Sequence, residues 1–117
     1  FAAIGSVDVT VDGVPVPRLN ELECVEGDVW ANVWMTDAIV RIDPRDGRVT
    51  GVLDLDGILA PHPAMTESGA VLNGIAYDPA ADTFLVTGKL WPELIEIRVS
   101  EPITPADPPV ASPESSA

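Results

Sequence analysis

The stretch that decides the fold is LNELECVEGDVWANVW, residues 19–34. Within and just beyond it, two apolar runs, 22–25 and 29–35, flank the polar, glycine-containing segment 26–28. Runs of this length that are rich in valine and tryptophan and separated by a short turn are typical of a β-hairpin. The stretch therefore predicts two antiparallel strands joined by a tight turn.

Strand patterns continue on both sides of this hairpin. Val7, Val9 and Val11 alternate with polar residues, and a period of two places the valines on one face of a strand. Segment 43–47 combines proline and glycine in a turn, and no stretch of the sequence carries a sustained helical stripe with caps at both ends. The sequence therefore predicts an all-β fold, with further strands at 39–42, 49–55, 75–77, 84–87 and 94–99.

The two groups of predicted strands form a repeat. The offset between matching residues is 53 for Asn20 and Asn73, 54 for Trp30 and Phe84, and 55 for Ile42 and Ile97. Repeats of roughly 40–50 residues with several short strands are typical of β-propeller blades, and the alternative is two chance hairpins in a small sandwich. Because a closed propeller needs roughly four to eight blades, residues 1–100 predict about two blades of a larger domain.

Composition narrows the classes of partner. The chain has 117 residues, with 19 Asp and Glu against 6 Lys and Arg, which gives a formal net charge of −13. Nucleic acid and anionic membranes are not expected as partners, because both are bound through clustered basic residues. Hydrophobic residues make up 46% of the chain, enough to form a core, and the single Cys24 excludes an internal disulfide. Residues 101–117 are rich in Pro, Ser and Ala and lack basic residues, so they predict a disordered acidic tail after a folded unit at residues 1–100.

Three residues are candidates for a functional site. Trp34 lies four residues after Trp30, and in a strand this spacing places both rings on one face, where each either fills the core or lines a pocket. Lys89 is the only lysine, and it is either a solvated surface residue or a donor to a carbonyl oxygen that develops negative charge. Asn20, like Asn32, is either a turn residue or a site ligand.

No metal or cofactor site is predicted. His62 stands between two prolines without a neighbouring histidine or cysteine, whereas a zinc site needs several such ligands. Segment 54–57 resembles only a fragment of a calcium-binding loop. Glycine-rich phosphate loops and the nucleophile elbow of serine hydrolases are absent from the sequence.

Five segments of the chain are similar to one enzyme family. In order they are LNELE (19–23), WANVW (30–34), IDP (42–44), LNGIAYD (72–78) and VTGKLWP (86–92). Over residues 1–100 the chain resembles the plant-type glutaminyl-peptide cyclotransferases, also called glutamine cyclotransferases. The resemblance implies a five-bladed β-propeller with its active site at one end of the central channel. This chain resembles the C-terminal two blades of that domain plus a linker strand.

The resemblance also implies an activity and its residues. The family is one of acyltransferases that cyclise the N-terminal Gln of a peptide or protein to pyroglutamate and release ammonia, and no cofactor is expected. By resemblance, Asn20 and Lys89 are catalytic polar residues, with Lys89 stabilising the oxyanion, and Trp34 is a wall of the substrate pocket. The family's acid–base glutamate belongs to an earlier blade, so that role is not assigned to Glu21 or Glu23.

A second function stays open at this level. A propeller remnant without catalytic activity would bind peptides or proteins through its channel face, and it would form no pyroglutamate from a Gln-initiated peptide. The expected partners are therefore peptides with an N-terminal Gln and the blades missing on the N-terminal side. Export of family members and the acidic, lysine-poor composition with one cysteine are compatible with a secreted or extracytoplasmic location.

Overall fold

The computed structural model of the chain describes residues 2–55 and 72–99. These residues form β-strands and no helix, and hence no helix long and apolar enough to cross a membrane. The all-β prediction is confirmed for them, whereas the predictions for His62 and for the tail 101–117 lie outside the described residues. The strands are β1 (Thr10–Val11), β2 (Val14–Pro15), β3 (Leu19–Val25), β4 (Asp28–Val33), β5 (Ala38–Ile42), β6 (Val49–Asp54), β7 (Leu72–Asp78), β8 (Thr83–Gly88) and β9 (Ile95–Ile97).

The strands form three antiparallel sheets in which neighbours along the chain are also neighbours in the sheet. A short hairpin contains β1 and β2, the first large sheet contains β3 to β6, and the second contains β7 to β9. Short turns suffice for these connections because antiparallel strands need no crossover. Strand β4 ends at Val33 rather than at the predicted Met35. Trp34 therefore lies outside the strand, and the expectation that it shares a strand face with Trp30 does not apply.

The predicted repeat is visible in the strand pairing. Equivalent residues are 53 positions apart in the sequence on β3 and β7, and 55 apart on β4 and β8. On the third strands, β5 and β9, Ile42 and Ile97 are also 55 apart. The two additional residues lie in the hairpin turn, which has two residues at 26–27 and four at 79–82. Equivalent partners are Leu19–Val33 and Leu72–Gly88, Leu22–Ala31 and Ile75–Val86, and Cys24–Val29 and Tyr77–Phe84.

One pairing in the predicted repeat is wrong. Trp30 and Phe84 are not equivalent, because the register matches Trp30 with Leu85 and Phe84 with Val29. The longer second turn shifts the register, whereas a comparison of sequences aligns the two bulky aromatic residues. In the structure these rings contact each other between the two large sheets, with centroids 4.7 Å apart and planes tilted by 46°.

The two large sheets stack with their equivalent faces pointing in the same direction. Trp30 lies on the face of the first sheet that is directed toward the second, and Phe84 and Val86 lie on the face of the second sheet that meets it. Phe84 and Val86 correspond to Val29 and Ala31, which lie on the opposite face of the first sheet. Equivalent faces therefore point in the same direction, as in sheets repeated by rotation.

Hydrogen bonds join β3 and β4 of the first large sheet to β7 of the second. Glu23 Oε2 accepts from Tyr77 N at 2.7 Å, and Asn32 Oδ1 accepts from Gly74 N at 3.0 Å. The side chain of Glu23 therefore links the two large sheets. Leu22, at the start of the first apolar run, is 61% exposed and lies on β3, an edge strand of its sheet.

The β1–β2 hairpin covers the other face of the first large sheet. Val11 is buried in that contact and Val9 packs against the same cluster. Thr10 N donates to Gly47 O at 3.0 Å. A Cβ atom on Gly47 would collide with the backbone carbonyl of Asp8, so this close approach requires glycine.

Candidate functional site

Equivalent turns follow the second strand of each large sheet. The turns span residues 33–36 and 88–91, and each closes with a hydrogen bond of 3.1 Å from the fourth residue's N–H to the first residue's carbonyl oxygen. Their third residues, Met35 and Leu90, have positive φ values of 73° and 67°. This combination is typical of type II turns. The two turns are therefore of the same type although their sequences differ.

The second position of each turn holds a residue predicted to be functional. These residues are Trp34 and Lys89, which are 55 apart and so keep the offset of the repeat. Trp34 is 41% exposed, and Lys89 is exposed as well. Trp30, in contrast, is 7% exposed and fills the core. The difference in residue type concealed the equivalence of Trp34 and Lys89 from a comparison of sequences alone.

Asn20 and Asn73 occupy equivalent positions at bulges in β3 and β7. The residues that follow them, Glu21 and Gly74, have φ values of 46° and 154°. Asn20 is exposed and its Oδ1 accepts from Glu21 N at 3.0 Å, so the Nδ2 group is the one that can donate to a bound molecule. Asn73 Oδ1 is buried and has no hydrogen-bond partner among the described residues. Bulges of this kind re-aim side chains and are frequent beside active sites.

Asn32 is completely buried and lies directly opposite Asn20 in the β3–β4 pair. Its Oδ1 accepts from Gly74 N, and a reversed amide would set an NH₂ group against that N–H, so the orientation of the side chain is determined. Asn32 Nδ2 remains buried without a partner in the part of the chain that the structure describes. An unsatisfied buried donor costs roughly 1–3 kcal/mol. Asn32 is therefore a bridge between the sheets and not a turn residue.

All these residues lie at the edge where the first strands of the large sheets begin and the second strands end. This set, Asn20, Asn32, Trp34, Asn73 and Lys89, is termed the polar edge. Sequence reasoning selected Asn20, Trp34 and Lys89, and all three lie there. It did not select Asn73, although the offset of 53 from Asn20 was visible. The sequence does not decide between a turn and a ligand role for Asn32, because only the strand register places it opposite Asn20.

The polar edge combines hydrogen-bond donors, one cation and an aromatic ring. Lys89 carries a positive charge in a chain of net charge −13, and Asn20 presents a carboxamide. Such groups bind a carbonyl oxygen or stabilise an oxyanion. None of the five side chains is a carboxylate that could transfer a proton. Within residues 2–55 and 72–99, no three His, Cys, Asp or Glu side chains are grouped so that they could hold a metal ion.

Two charged clusters lie at the opposite edge, near the hairpin turns. The Asp43 carboxylate accepts from Arg45 N at 2.9 Å, Nε at 3.0 Å and Nη2 at 2.7 Å. These bonds from Arg45 lower the pKa of Asp43 to about 2. Tyr77 donates its hydroxyl hydrogen to Asp82 at 2.7 Å, and this bond raises the pKa of Tyr77 to about 12. Both pairs stabilise turns and are separate from the polar edge.

Comparisons with known proteins identify the family. The sequence model of the glutamine cyclotransferase family matches residues 1–99. The chain belongs to this family. A glutaminyl-peptide cyclotransferase of Arabidopsis thaliana is 42% identical over 97 residues, which cover 80% of this chain and 29% of the plant protein. A crystal structure of Myxococcus xanthus glutaminyl cyclase matches with a TM-score of 0.70 and 39% identity, over 92% of this chain and 45% of that chain.

The chain spans less than half the length of these relatives. The resemblance carried by the five sequence segments is confirmed at the level of the family. The Myxococcus glutaminyl cyclase also shares the arrangement of the strands over most of this chain. The roles of Asn20, Trp34 and Lys89 within the family site remain predictions.

Proposed function

We propose that this chain forms part of a glutaminyl-peptide cyclotransferase, which converts the N-terminal Gln of a peptide to pyroglutamate. The observation that carries the proposal is the polar edge, where equivalent turns present Trp34 and Lys89 at the same edge of the sheets as Asn20. Membership of the glutamine cyclotransferase family supports the same reaction.

The reaction needs few groups from the protein. The substrate's α-amine nitrogen attacks the side-chain amide carbon, a C–N bond forms, and negative charge develops on the amide oxygen. The former amide C–N bond then breaks, and ammonia leaves with a proton that the amine has lost. A donor to the oxygen lowers the barrier of the first step, and an acid–base group moves the proton.

Lys89 and Asn20 are the proposed donors to this oxygen. The ammonium group of Lys89 offsets the developing charge, and it does so in a strongly acidic chain with no other lysine. Asn20 Nδ2 is available for a second donation because Asn20 Oδ1 is occupied by Glu21 N. Trp34 supplies an apolar wall that orients the glutamine side chain, which reduces the entropy lost on reaching the transition state.

The complete domain is proposed to be a five-bladed β-propeller, with the two large sheets as two of its blades. The same-sense stacking of these sheets and the match to Myxococcus glutaminyl cyclase support this arrangement. The acid–base glutamate is proposed to lie in another blade, as the resemblance to the family implies. Activity therefore requires the remaining blades.

A chimaera tests the function of this chain. Residues 1–99 replace the matching part of the Myxococcus enzyme, and pyroglutamate formation is measured with a Gln-initiated peptide. We expect turnover by the chimaera and a loss of about 10²–10³-fold in kcat for Lys89→Ala. Lys89→Arg, which retains the charge, is expected to lose less.

The matched control is Arg48→Ala, which removes an exposed positive charge from the turn at the opposite edge. It is expected to leave kcat within about twofold, as for a surface change remote from the site. A folded chimaera that is inactive, or one in which Lys89→Ala and Arg48→Ala are equivalent, would contradict the proposed role of Lys89.

A peptide-binding module without catalysis is the second candidate. It is favoured by the length of the chain, which covers less than half of the relatives it matches and so supplies only part of the domain that they form. In this case the chimaera would bind Gln-initiated peptides without releasing ammonia, and Trp34→Ala would weaken binding while Lys89→Ala would have little effect. Ammonia release measured beside peptide affinity separates the two candidates.

A further inference from the structure

The two turns of the polar edge each expose a large apolar side chain. Met35 is 44% exposed and Leu90 is 60% exposed, at equivalent third positions. A single exposed apolar residue needs no explanation. Here the feature recurs in both repeats, immediately after Trp34 and Lys89. The recurrence indicates that the exposed side chains serve a purpose at this edge.

The backbone at these positions adds a second observation. Met35 and Leu90 have φ values of 73° and 67°, in the left-handed region that favours glycine. Glycine or asparagine is the usual third residue of a type II turn. A large apolar residue here both strains the backbone and exposes apolar surface, so neither packing nor turn formation accounts for it. Strain that the fold does not need is a common property of ligand-binding positions.

We infer that Met35 and Leu90 form an apolar subsite for the second residue of the substrate, so that the preferred substrates are peptides with an N-terminal Gln followed by a large apolar residue. The inference rests on the proposed function. In that reaction the first residue occupies the polar edge, and the side chain of the second residue is the next group along the peptide. Contact with Met35 and Leu90 would remove apolar surface of all three side chains from water. An acidic second residue would instead be repelled by the chain, whose formal net charge is −13.

Substitution by glycine separates this role from a structural one. Glycine relieves the positive φ, so Met35→Gly and Leu90→Gly should unfold at the same temperature as the parent chain or higher. The same changes remove the apolar contacts. Glu26→Gly is the matched control, since Glu26 has a φ of 52° and is exposed at the hairpin turn of the opposite edge. It should relieve strain without touching the subsite.

The experiment is an NMR titration of the 117-residue chain with the peptides Gln-Leu-Ala-Ala and Gln-Ser-Ala-Ala. We expect the leucine peptide to bind about fivefold more tightly, with amide shift changes at residues 34–35 and 89–90. In the double variant Met35→Gly/Leu90→Gly the preference should fall below about twofold, whereas Glu26→Gly should retain it. The ratio of kcat/KM for the two peptides in the chimaera provides a second measurement of the same preference.

Equal affinity for the two peptides, or a preference that survives in the double variant, would overturn the subsite. Absence of binding by either peptide would overturn it too, and pyroglutamate formation by the chimaera would then decide the proposed function separately. Dimerisation that both glycine substitutions abolish, without peptide binding, would assign the two side chains to a second copy of the chain and also overturn the inference.

Discussion

Trp30 and Trp34 show that the position of a residue relative to the end of a strand decides whether its side chain is buried or exposed. Trp30 lies within β4 and packs against Phe84, whereas Trp34 follows the last residue of the strand and is exposed. Sequence spacing could not separate them because the apolar run continues to Met35 without a break. The backbone turn at Met35, which no residue type in the run announces, makes the difference.

Replacing Trp30 and Trp34 by alanine should therefore affect different properties, the stability of the fold for Trp30 and the binding of substrate for Trp34. Trp30→Ala removes a buried ring and is expected to lower the free energy of unfolding by about 3–5 kcal/mol. Trp34→Ala is expected to change it by less than about 1 kcal/mol and to raise KM for Gln peptides about tenfold in the chimaera. Urea unfolding and steady-state kinetics measure the two effects. Parallel losses of stability and activity in Trp34→Ala would place Trp34 in the core instead.

The turn at Asp43 predicts a pH dependence of stability. The bonds from Arg45 lower the pKa of Asp43 to about 2 in the folded chain, below its ordinary value of 3.8. A lowered pKa means that the stabilisation is present above about pH 4 and is lost as the pH falls through 2. We expect Asp43→Asn to be less stable than the parent at pH 6, with the difference disappearing near pH 2.

Urea midpoints at pH 6, 4 and 2.5 measure this difference. The control is Asp12→Asn, in the exposed turn of the β1–β2 hairpin, which removes one carboxylate without affecting the Asp43–Arg45 pair. A gap between the parent and Asp43→Asn that is the same at all three pH values would show that the ion pair contributes nothing over this range.

At the scale of strands, the sequence predicts that the elements exist but not where they end. Each predicted strand of the two large sheets is present, and β3 begins at Leu19 rather than at the predicted Leu22. The bulge after Asn20 explains this difference, because it interrupts the alternation from which the start was predicted. The second hairpin turn is two residues longer than the first, and because the sequence pattern does not reveal this, it matches Trp30 with Phe84 incorrectly.

The bulge in β7 predicts that Gly74 does not tolerate a larger residue. Gly74 has a φ of 154°, and a Cβ atom there would lie 2.9 Å from Thr87 Cγ2. Gly74→Ala is therefore expected to destabilise the chain by about 1–2 kcal/mol. Because Gly74 N also donates to Asn32, hydrogen exchange of the Gly74 amide should become faster.

Thr87→Ser identifies the cause of this effect. It removes Thr87 Cγ2 and retains the hydroxyl that donates to Glu93 O at 2.7 Å. In Gly74→Ala/Thr87→Ser the steric contact is gone, so we expect part of the lost stability to return, leaving only the cost of the backbone conformation. If the double variant is no more stable than Gly74→Ala in urea unfolding, the contact with Thr87 is not the source of the loss.

At the scale of the whole molecule, the sequence predicted the family and three residues of the polar edge, but not how the edge is assembled. Asn20, Trp34 and Lys89 belong to recognisable segments. The equivalence of the two turns, and the bridge from Asn32 to Gly74, depend on register and on the stacking of the sheets. These features arise from contacts between parts of the chain that are distant in sequence, so a local pattern carries no signal for them.

The same stacking predicts a partner surface on the second large sheet. Leu85 is the residue of the second sheet that corresponds to Trp30. Trp30 is covered by the second sheet. Leu85 is only half-buried, and among the described residues no further sheet covers the face of the second sheet on which it lies. In the proposed propeller the next blade would pack there.

Co-expression of this chain with the part of the Myxococcus enzyme that it does not match should therefore give a stable one-to-one complex with a higher unfolding temperature than either part alone. Leu85→Asp should prevent the complex, whereas Ala80→Asp, which adds the same charge on the exposed β7–β8 turn, should not. Size-exclusion chromatography measures complex formation, and equal behaviour of the two variants would show that the next sheet does not pack over Leu85.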